Sequence, residues 1–297
     1  AAEALLEERR GAATAAKRWK ADLALVVVAF IWGSTFVIVK KALADTSTIL
    51  FLALRFALAG AVLAYGARQV RVDRRLARAS LVVGLAMFAG YLLQTWGLRL
   101  TTPSKSAFIT GFSIVLVPIF VGLAFRRFAG WAPLAGVASA LTGLYLLTTP
   151  SGGGPVNRGD LLTLGCAAAF ALHIIFLGHY SRQLPPVGLA AGQVVVAGAL
   201  AFAAVPWAER VFLRLTPGLL LAIVVTGLLA TALAFFVQTW AQQFTSPAHT
   251  ALIFALEPVF AWLTSWVVLG ERLGGRAALG ALLILAGIIL AELASRK

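Results

Sequence analysis

A recurring pattern in the chain places an aromatic residue three positions before a polar one, inside otherwise apolar stretches. Three-residue spacing puts both side chains on the same face of a helix. An aromatic wall beside a hydrogen-bonding group suits a small ligand with an apolar body and polar ends, so the pattern predicts a binding cavity. The alternative is that the polar members only bond neighbouring helices to one another. The four pairs are Trp32 with Thr35, Tyr91 with Gln94, Phe170 with His173, and Phe235 with Gln238.

Two charged residues, Arg55 and Glu257, lie deep within apolar stretches. At 1.5 Å per helical residue they are roughly 10 and 14 Å from the stretch ends, where a charge is costly and marks a functional candidate. Arg55 is a candidate for binding a substrate carboxylate, unless helix-end carbonyls neutralise it. Glu257 is a candidate for proton coupling or for binding a substrate ammonium. Its alternative is a structural acid that pairs with Arg55 or forms a hydrogen bond at the break before Pro258.

Two prolines lie within apolar stretches and are candidate hinges. Pro118 and Pro258 have no backbone N–H, so the carbonyls of Ile114 and Phe254, four residues earlier, lose their usual donors. Such a break can bend a helix during a conformational change or expose backbone to a substrate. Static kinks are an equally good interpretation of the same residues.

The composition determines where these residues must act. Hydrophobic residues make up 61% of the 297 and charged residues 12%, against roughly 25% charged in an ordinary soluble chain. The mean hydropathy is +0.93. Such a chain must place apolar surface against lipid, which excludes a soluble enzyme or nucleic-acid binder, despite a net charge of +14. The single cysteine, Cys166, excludes a disulfide framework and a thiolate metal site.

Ten apolar stretches follow one another, each of a length that suits a membrane-spanning helix. They are roughly 22–40, 48–66, 81–99, 104–125, 131–149, 160–179, 186–206, 217–240, 248–269 and 275–293. The runs are unbroken rather than alternating, so a barrel is not expected. The sequence therefore predicts an all-α polytopic membrane protein with ten transmembrane helices. Asp22 and Asp160 stand where two stretches begin, as N-cap residues do.

The chain repeats itself internally. A shift of 138 residues superposes Asp22 on Asp160 and Trp32 on Phe170. A shift of 144 residues superposes Gln94-Thr95-Trp96 on Gln238-Thr239-Trp240, Gly136 on Gly280, and Gly143 on Gly287. We therefore expect a first five-helix repeat at 22–149, a glycine-rich linker at 150–159, and a second repeat with a short C-terminal tail at 160–297. The matched glycines are typical of close helix packing.

Five spans in each half is an odd number, so the second repeat must enter the membrane inverted relative to the first. Inverted repeats are typical of transporters, with the substrate site between the halves near the membrane midplane. The alternative is a duplicated structural bundle without a site.

Loop charges predict the orientation. Fifteen Lys and Arg residues fall on the side that holds both termini and nine on the opposite side, which places both termini in the cytoplasm. In the second half alone the bias is reversed, three against five. Residues 1–21 are polar and alanine-rich and have no apolar signal-peptide core. We expect them to form a frayed cytoplasmic tail rather than an amphipathic surface helix.

Several short motifs resemble those of the drug/metabolite transporter superfamily, and specifically its EamA family of ten-helix exporters. They are Trp32-Gly33-Ser34-Thr35-Phe36, Leu54-Arg55-Phe56, Ala107-Phe108-Ile109-Thr110-Gly111, Val117-Pro118, Leu256-Glu257-Pro258-Val259-Phe260 and Leu269-Gly270-Glu271-Arg272. The resemblance covers about residues 22–293. It implies export of amino acids or related small metabolites across the bacterial inner membrane. It also implies a central cavity lined by the first, third, fourth, sixth, eighth and ninth helices.

The expected function is thus secondary transport by alternating access of two inverted halves. The partners expected are a small-molecule substrate and the lipid bilayer, with no nucleic acid, cofactor or metal. The chain has no His-Glu-x-x-His motif and no Walker-type glycine loop, so a membrane-embedded enzyme or ATP-driven pump is disfavoured. A passive channel or facilitator remains the alternative, although the polar positions are isolated rather than forming a continuous stripe.

The orientation is directly testable. A protease site placed in the 150–159 linker should be cut in right-side-out membrane vesicles and protected in inside-out vesicles. A site appended after Lys297 should behave in the opposite way and serves as the control. Cleavage of the linker site in inside-out vesicles alone would overturn the orientation.

Overall fold

The computed structural model describes residues 2–101, 103–125, 130–148, 157–269 and 274–295. Within these ranges the fold is all-α and contains no strand, as the sequence predicts; one isolated antiparallel bridge joins the loop residues Thr46 and Leu213. The helices are α1 (Ala2–Ala42), α2 (Thr48–Gly66), α3 (Arg74–Leu100), α4 (Pro103–Gly111), α5 (Ser113–Phe125), α6 (Trp131–Thr148), α7 (Arg158–Ser181), α8 (Pro186–Ala208), α9 (Pro217–Val224), α10 (Ala234–Ala241), α11 (Pro247–Phe254), α12 (Glu257–Leu269) and α13 (Gly275–Ser295). A π-helical segment, Val225–Leu233, joins α9 to α10.

Seven helical stretches in the described residues are long and apolar enough to cross a membrane. They are Ala16–Ala42, Thr48–Gly66, Arg74–Leu100, Ser106–Ala124, Arg158–Ser181, Pro186–Ala208 and Pro217–Ala241. Shorter apolar helical runs, Leu134–Leu146 and Ala278–Leu290, lie within α6 and α13. Large apolar side chains, among them Val195, Leu229 and Leu282, are exposed on the outside of the bundle. Lipid is the solvent that such a surface requires, so the protein crosses the membrane several times.

The N-terminal segment differs from expectation. Residues 2–21 are helical and continue into the first span as α1, so the expected frayed tail is wrong. Alanine, leucine, glutamate and arginine are strong helix formers, and a helix already nucleated by the span extends through them at little cost. For the same reason Asp22 lies within α1 and is not its N-cap. Asp160 is three residues into α7, where it forms a capping box with the true N-cap, Asn157.

The fourth and ninth predicted stretches are each divided into two helices. In the second half the break falls at Ala255 and Leu256, and Pro258 is the second residue of α12, where a missing N–H costs nothing. In the first half the break falls at Phe112, whose N–H bonds the carbonyl of Ile109 at 3.1 Å. Pro118 lies inside α5 instead, so the interruption precedes it by six residues. A hinge role for either proline stays a prediction.

Glycines bring the helices of the two halves into close contact. A Cβ atom on Gly143 of α6 would lie 2.8 Å from the backbone nitrogen of Ile284 in α13. A Cβ atom on Gly287 of α13 would lie 3.0 Å from the backbone nitrogen of Ala140 in α6. Contacts this short require glycine, which confirms the expected close packing. Further pairs that pack extensively are α3 with α7 and α2 with α8.

This packing predicts a position-specific loss of stability. Gly143→Val should lower the free energy of unfolding by about 1–3 kcal/mol, because the added atoms overpack a backbone contact. The matched control is Gly130→Val, where an added Cβ meets no atom within 4 Å. The melting temperature of each purified variant in detergent is the measurement. Equal melting temperatures for the two variants would contradict the proposed contact.

A central cavity as the candidate binding site

A cavity lies between the two halves of the chain, and the ten residues predicted to bind substrate all line it. They are Trp32, Thr35, Arg55, Tyr91, Gln94, Phe170, His173, Phe235, Gln238 and Glu257. Its walls come from α1, α3, α4, α7 and α10, with single residues from α2, α5 and α11 and with Glu257 and Pro258 at the start of α12. The volume of the cavity that the centre of a water molecule can reach is about 70 Å³. One water needs roughly 10–15 Å³ by that measure, so the space suits a small solute.

Aromatic rings form a continuous wall that joins the halves. The ring centroids of Trp32 and Phe235 are 5.3 Å apart, and those of Tyr91 and Phe170 are 5.4 Å apart. Tyr91 also lies 5.9 Å from Phe235. These are the edge-on and tilted arrangements that aromatic pairs prefer. The four predicted aromatic residues therefore contact one another rather than lying at separate sites.

Burial divides these four residues into two kinds. Phe235 is 1% exposed and Tyr91 is 5% exposed, so both also belong to the packed core. Trp32 and Phe170 are half-buried and present more surface to the cavity. Trp32 additionally packs against both of the large apolar clusters of the bundle.

The spacing pattern did not include two aromatic residues that line the cavity, Phe36 and Phe254. Phe254, whose ring centroid is 4.9 Å from that of Trp32, ends α11 and lines the cavity. It lies three residues before Glu257, so it has the same spacing as the four recognised pairs. The signal for Phe254 was therefore present in the sequence. The helix break between Phe254 and Glu257 could not be seen there.

Arg55 is bound by groups from two parts of the fold, the π segment and α3. Its Nε donates to the Thr231 hydroxyl at 2.6 Å, and its Nη2 donates to the Tyr91 hydroxyl and to the Ala230 carbonyl, each at 3.1 Å. The guanidinium carbon lies 4.4 Å from the centroid of the Tyr91 ring, a cation–π distance. The same Ala230 carbonyl accepts a hydrogen bond from Trp32 Nε1 at 2.8 Å. The carbonyl that meets Arg55 thus lies in the π segment and not at a helix end.

The π segment itself was not predicted. In this geometry each turn holds an extra residue, and such turns are frequent at functional sites. The Thr231 hydroxyl donates to the carbonyl of Thr226, five residues earlier, at 2.8 Å. Two threonines five residues apart in an apolar run are the available sequence signal, and that signal alone is too weak to predict a π-helix.

His173 lines the cavity and also joins helices. Its Nε2 lies 2.7 Å from Gln193 Oε1, and Gln193 Nε2 donates to the Thr239 hydroxyl at 3.1 Å. Gln193 is the repeat match of Arg55, so the two halves use this position differently. His173 therefore bonds a neighbouring helix, as the alternative predicts, and its role as a ligand stays a prediction.

The two cavity glutamines differ in how completely they are bonded. Gln94 Nε2 donates to the Thr110 hydroxyl at 3.4 Å. Gln238 Nε2 donates to Gln242 Oε1 at 3.1 Å. Gln238 Oε1 is buried and forms no hydrogen bond with any residue that the structure describes. It is consequently an acceptor without a donor, a condition that proteins rarely leave unsatisfied.

The carboxylate of Glu257 is half-buried at the start of α12 and faces the cavity. Within the described ranges it forms no hydrogen bond and no ion pair, and Arg55 is bonded elsewhere. The N-terminus of α12 stabilises a negative charge at this position. Gly33 of α1 allows the close approach, because a Cβ atom there would lie 3.0 Å from the backbone nitrogen of Ala261.

Comparison with known proteins defines the class of the chain. The model of the EamA-like transporter family matches residues 19–149 and matches again at 157–293. The protein is thus a multi-pass membrane protein of a transporter class. It belongs to the EamA-like transporter family.

Relatives of known name agree with this class. An uncharacterized transporter of Archaeoglobus fulgidus is 36% identical over 286 residues, 96% of this chain and 90% of the relative. A probable terminal-alkyne amino-acid exporter of Streptantibioticus cattleyicolor is 27% identical over 91% of this chain and 93% of its own. A solved crystal structure of a protein chain matches with a TM-score of 0.77 at 20% identity, covering 93% of this chain and 98% of that one. This last similarity concerns the fold.

The burial of the aromatic wall predicts different outcomes for its members. Phe170→Ala should abolish or strongly weaken transport with little loss of stability, because the cavity already borders its ring. Phe235→Ala should in addition lower the free energy of unfolding by about 3–5 kcal/mol, because it empties a closed core position. Counterflow in proteoliposomes and melting temperature in detergent measure the two effects. Normal transport by alanine variants of all four aromatic residues would place the binding site elsewhere.

Proposed function

We propose that this protein is a secondary transporter that exports amino acids or related small metabolites across the bacterial inner membrane by alternating access. The observation that carries the proposal is a cavity lined by residues from matched positions of both halves. The name of the Streptantibioticus relative supports an amino-acid substrate. The apolar wall and the separate polar groups suit a solute of that size and polarity.

Two inverted repeats are the architecture that we infer for this mechanism. Helices α4, α5 and α6 begin at Pro103, Ser113 and Trp131, and α11, α12 and α13 each begin 144 residues later. The family model also matches the chain twice. We therefore assign 22–149 and 160–297 as five-span repeats, with both termini in the cytoplasm. The linker is 150–159, of which residues 150–156 lie outside the described ranges.

The lining of the cavity is unequal between the halves. It extends along the first half to Val39, Leu98 and Ala107. The matched residues of the second half are fully buried and are absent from the lining: Leu177, Gln242 and Ala251. In the proposed orientation, the cavity extends toward the outer side.

Hydrogen bonds hold the opposite, cytoplasmic end together. Gln242 Nε2 donates to the Ile174 carbonyl at 2.9 Å, and Gln243 Nε2 donates to the Ser181 carbonyl at 3.0 Å. Both bonds join α7 to the end of α10. If the helices of the first half took up the closed arrangement and the matched helices of the second half took up the open one, the outer end would close and the inner end would open. This is alternating access in inverted repeats.

Glu257 is the group that we propose for energy coupling. It supplies the one carboxylate among the lining residues, and no described residue pairs with it. A carboxylate away from bulk water is costly unless it takes up a proton or a cation. Uptake of a proton on one side of the membrane and its release on the other would couple solute export to the proton gradient.

Counterflow tests transport. Proteoliposomes preloaded with unlabelled amino acids should accumulate the same labelled amino acids transiently and saturably. A facilitator or channel that does not saturate would give a flux proportional to solute concentration. A proportional flux for every amino acid tested would overturn the proposal.

Glu257→Gln tests coupling, because it keeps the shape of the side chain and removes the charge. The variant should still exchange solute but lose its response to a pH gradient. The matched control is Glu209→Gln, since Glu209 accepts hydrogen bonds from the backbone N–H groups of Thr48 and Ile49 at 3.0 and 2.5 Å. The control should lose stability and keep the pH response. An unchanged pH response in Glu257→Gln would leave only a structural role.

A further inference from the structure

The guanidinium of Arg55 is only partly used by the protein. Arginine has five N–H donors. Three of them bond Thr231, Tyr91 and Ala230, through Nε and Nη2. The two donors of Nη1 form no hydrogen bond with any described residue. Nη1 is not completely buried, and Arg55 lines the cavity, so these two donors retain access to it.

The positive charge of Arg55 is also not compensated by an anion among the described residues. Its partners are two hydroxyls, a carbonyl and the face of a ring, and no carboxylate in the described part of the chain pairs with it. A buried cation without an anion is costly in a membrane protein. A planar oxyanion on the solute would both satisfy Nη1 and compensate the charge, and arginine binds carboxylates better than any other side chain does.

Thr231 orients the guanidinium of Arg55 because Thr231 lies in the π segment. Thr95, an α-helical threonine that lines the cavity, donates to the carbonyl of Tyr91, four residues earlier, at 2.7 Å. Thr231 instead donates to Thr226, five residues earlier. Its hydroxyl proton is thereby committed along the helix, and its oxygen is left to accept from Arg55 Nε at 2.6 Å.

The arrangement exists in one half of the protein only. At the repeat positions of Thr226 and Thr231, the first half has Val82 and Met87, and α3 is a continuous α-helix there. At the repeat position of Arg55, the second half has the neutral Gln193. The π segment thus accompanies the arginine and is not a general property of the repeated fold.

We propose that Arg55 binds the carboxylate of the transported solute through Nη1, and that Thr231 of the π segment is the positioning residue that aims it. The inference rests on the proposed function, since it assumes that the solute occupies this cavity. It adds the requirement that the solute carries a carboxylate.

The test compares amino acids with their carboxamides, in which a neutral amide replaces the carboxylate. The probes are L-leucine with L-leucinamide and L-phenylalanine with L-phenylalaninamide, which keep the ammonium and side chain and differ in the carboxylate. Their affinities are measured by thermal stabilisation of the purified full-length protein and by competition in counterflow. A hydrogen bond to a charged group corresponds to roughly a tenfold to hundredfold effect, so the wild type should prefer at least one acid to its amide by about that factor.

Variants of the π segment then separate positioning from stability. Thr231→Val removes the acceptor at constant volume and should reduce the preference for the acid to about threefold or less. Thr231→Ser restores the hydroxyl and should restore the preference. The control is Thr226→Val, because among the described residues the Thr226 hydroxyl bonds the Ala222 carbonyl, at 2.6 Å, and not Arg55. It should keep the preference even where the melting temperature falls.

Two results would overturn the proposal: a wild type that binds neither acid more tightly than its amide, or a Thr231→Val variant that keeps the full preference. Either result is compatible with saturable counterflow of another solute. The proposed carboxylate contact of Arg55 can therefore be wrong while the proposed transport function is right. Absence of saturable counterflow together with a clear acid preference in thermal stabilisation would have the opposite meaning. It would support the carboxylate contact of Arg55 and contradict the proposed transport function.

Discussion

The carbonyl oxygen of Ala230 accepts hydrogen bonds from Trp32 of α1 and from Arg55 of α2. In the apolar interior of a membrane no water is at hand to bond such donors, so each must find a partner within the protein. One backbone atom of the π segment therefore determines where an aromatic wall and a cation stand relative to each other. The hydroxyl of Tyr91 in α3 accepts a hydrogen bond from the same guanidinium, so three residues that line the cavity are linked through Arg55 and this acceptor.

Close helix packing makes such a cavity possible without loosening the bundle. At the contact of α6 with α13, glycines on both helices bring the backbones together. Gly33 does the same where α1 meets the start of α12, and it thereby brings Trp32 near the helix break that carries Glu257. Dispersion contacts between backbones replace the hydrophobic effect, which contributes nothing between helices in lipid. The polar groups of the site can then remain incompletely bonded while the surrounding helices stay tightly packed.

The two charges of the cavity are held apart by these same constraints. Arg55 is bonded to the π segment and Tyr91, and Glu257 stands at the N-terminus of α12. A direct ion pair between them would leave a neutral, self-satisfied site with little to offer a solute. In the proposed function the two separate charges serve different groups, the arginine an oxyanion and the glutamate a proton or a cation.

The amino-acid sequence by itself determined the membrane class, the helical character, the family and ten of the residues that line the cavity, because composition and three-residue spacing are local properties of the chain. Trp32, Phe170 and the other predicted residues could be named in this way, and even Phe254 had the right spacing. Only the tertiary structure decided where helices begin and break. The helix α1 extends back to Ala2, the first-half break falls at Phe112 and not at Pro118, and Val225–Leu233 is π-helical. The π segment meets partners that are distant in the sequence, Trp32 and Arg55. Thr231 acquires a role as an acceptor only when Arg55 is packed beside it, and no local pattern records that contact.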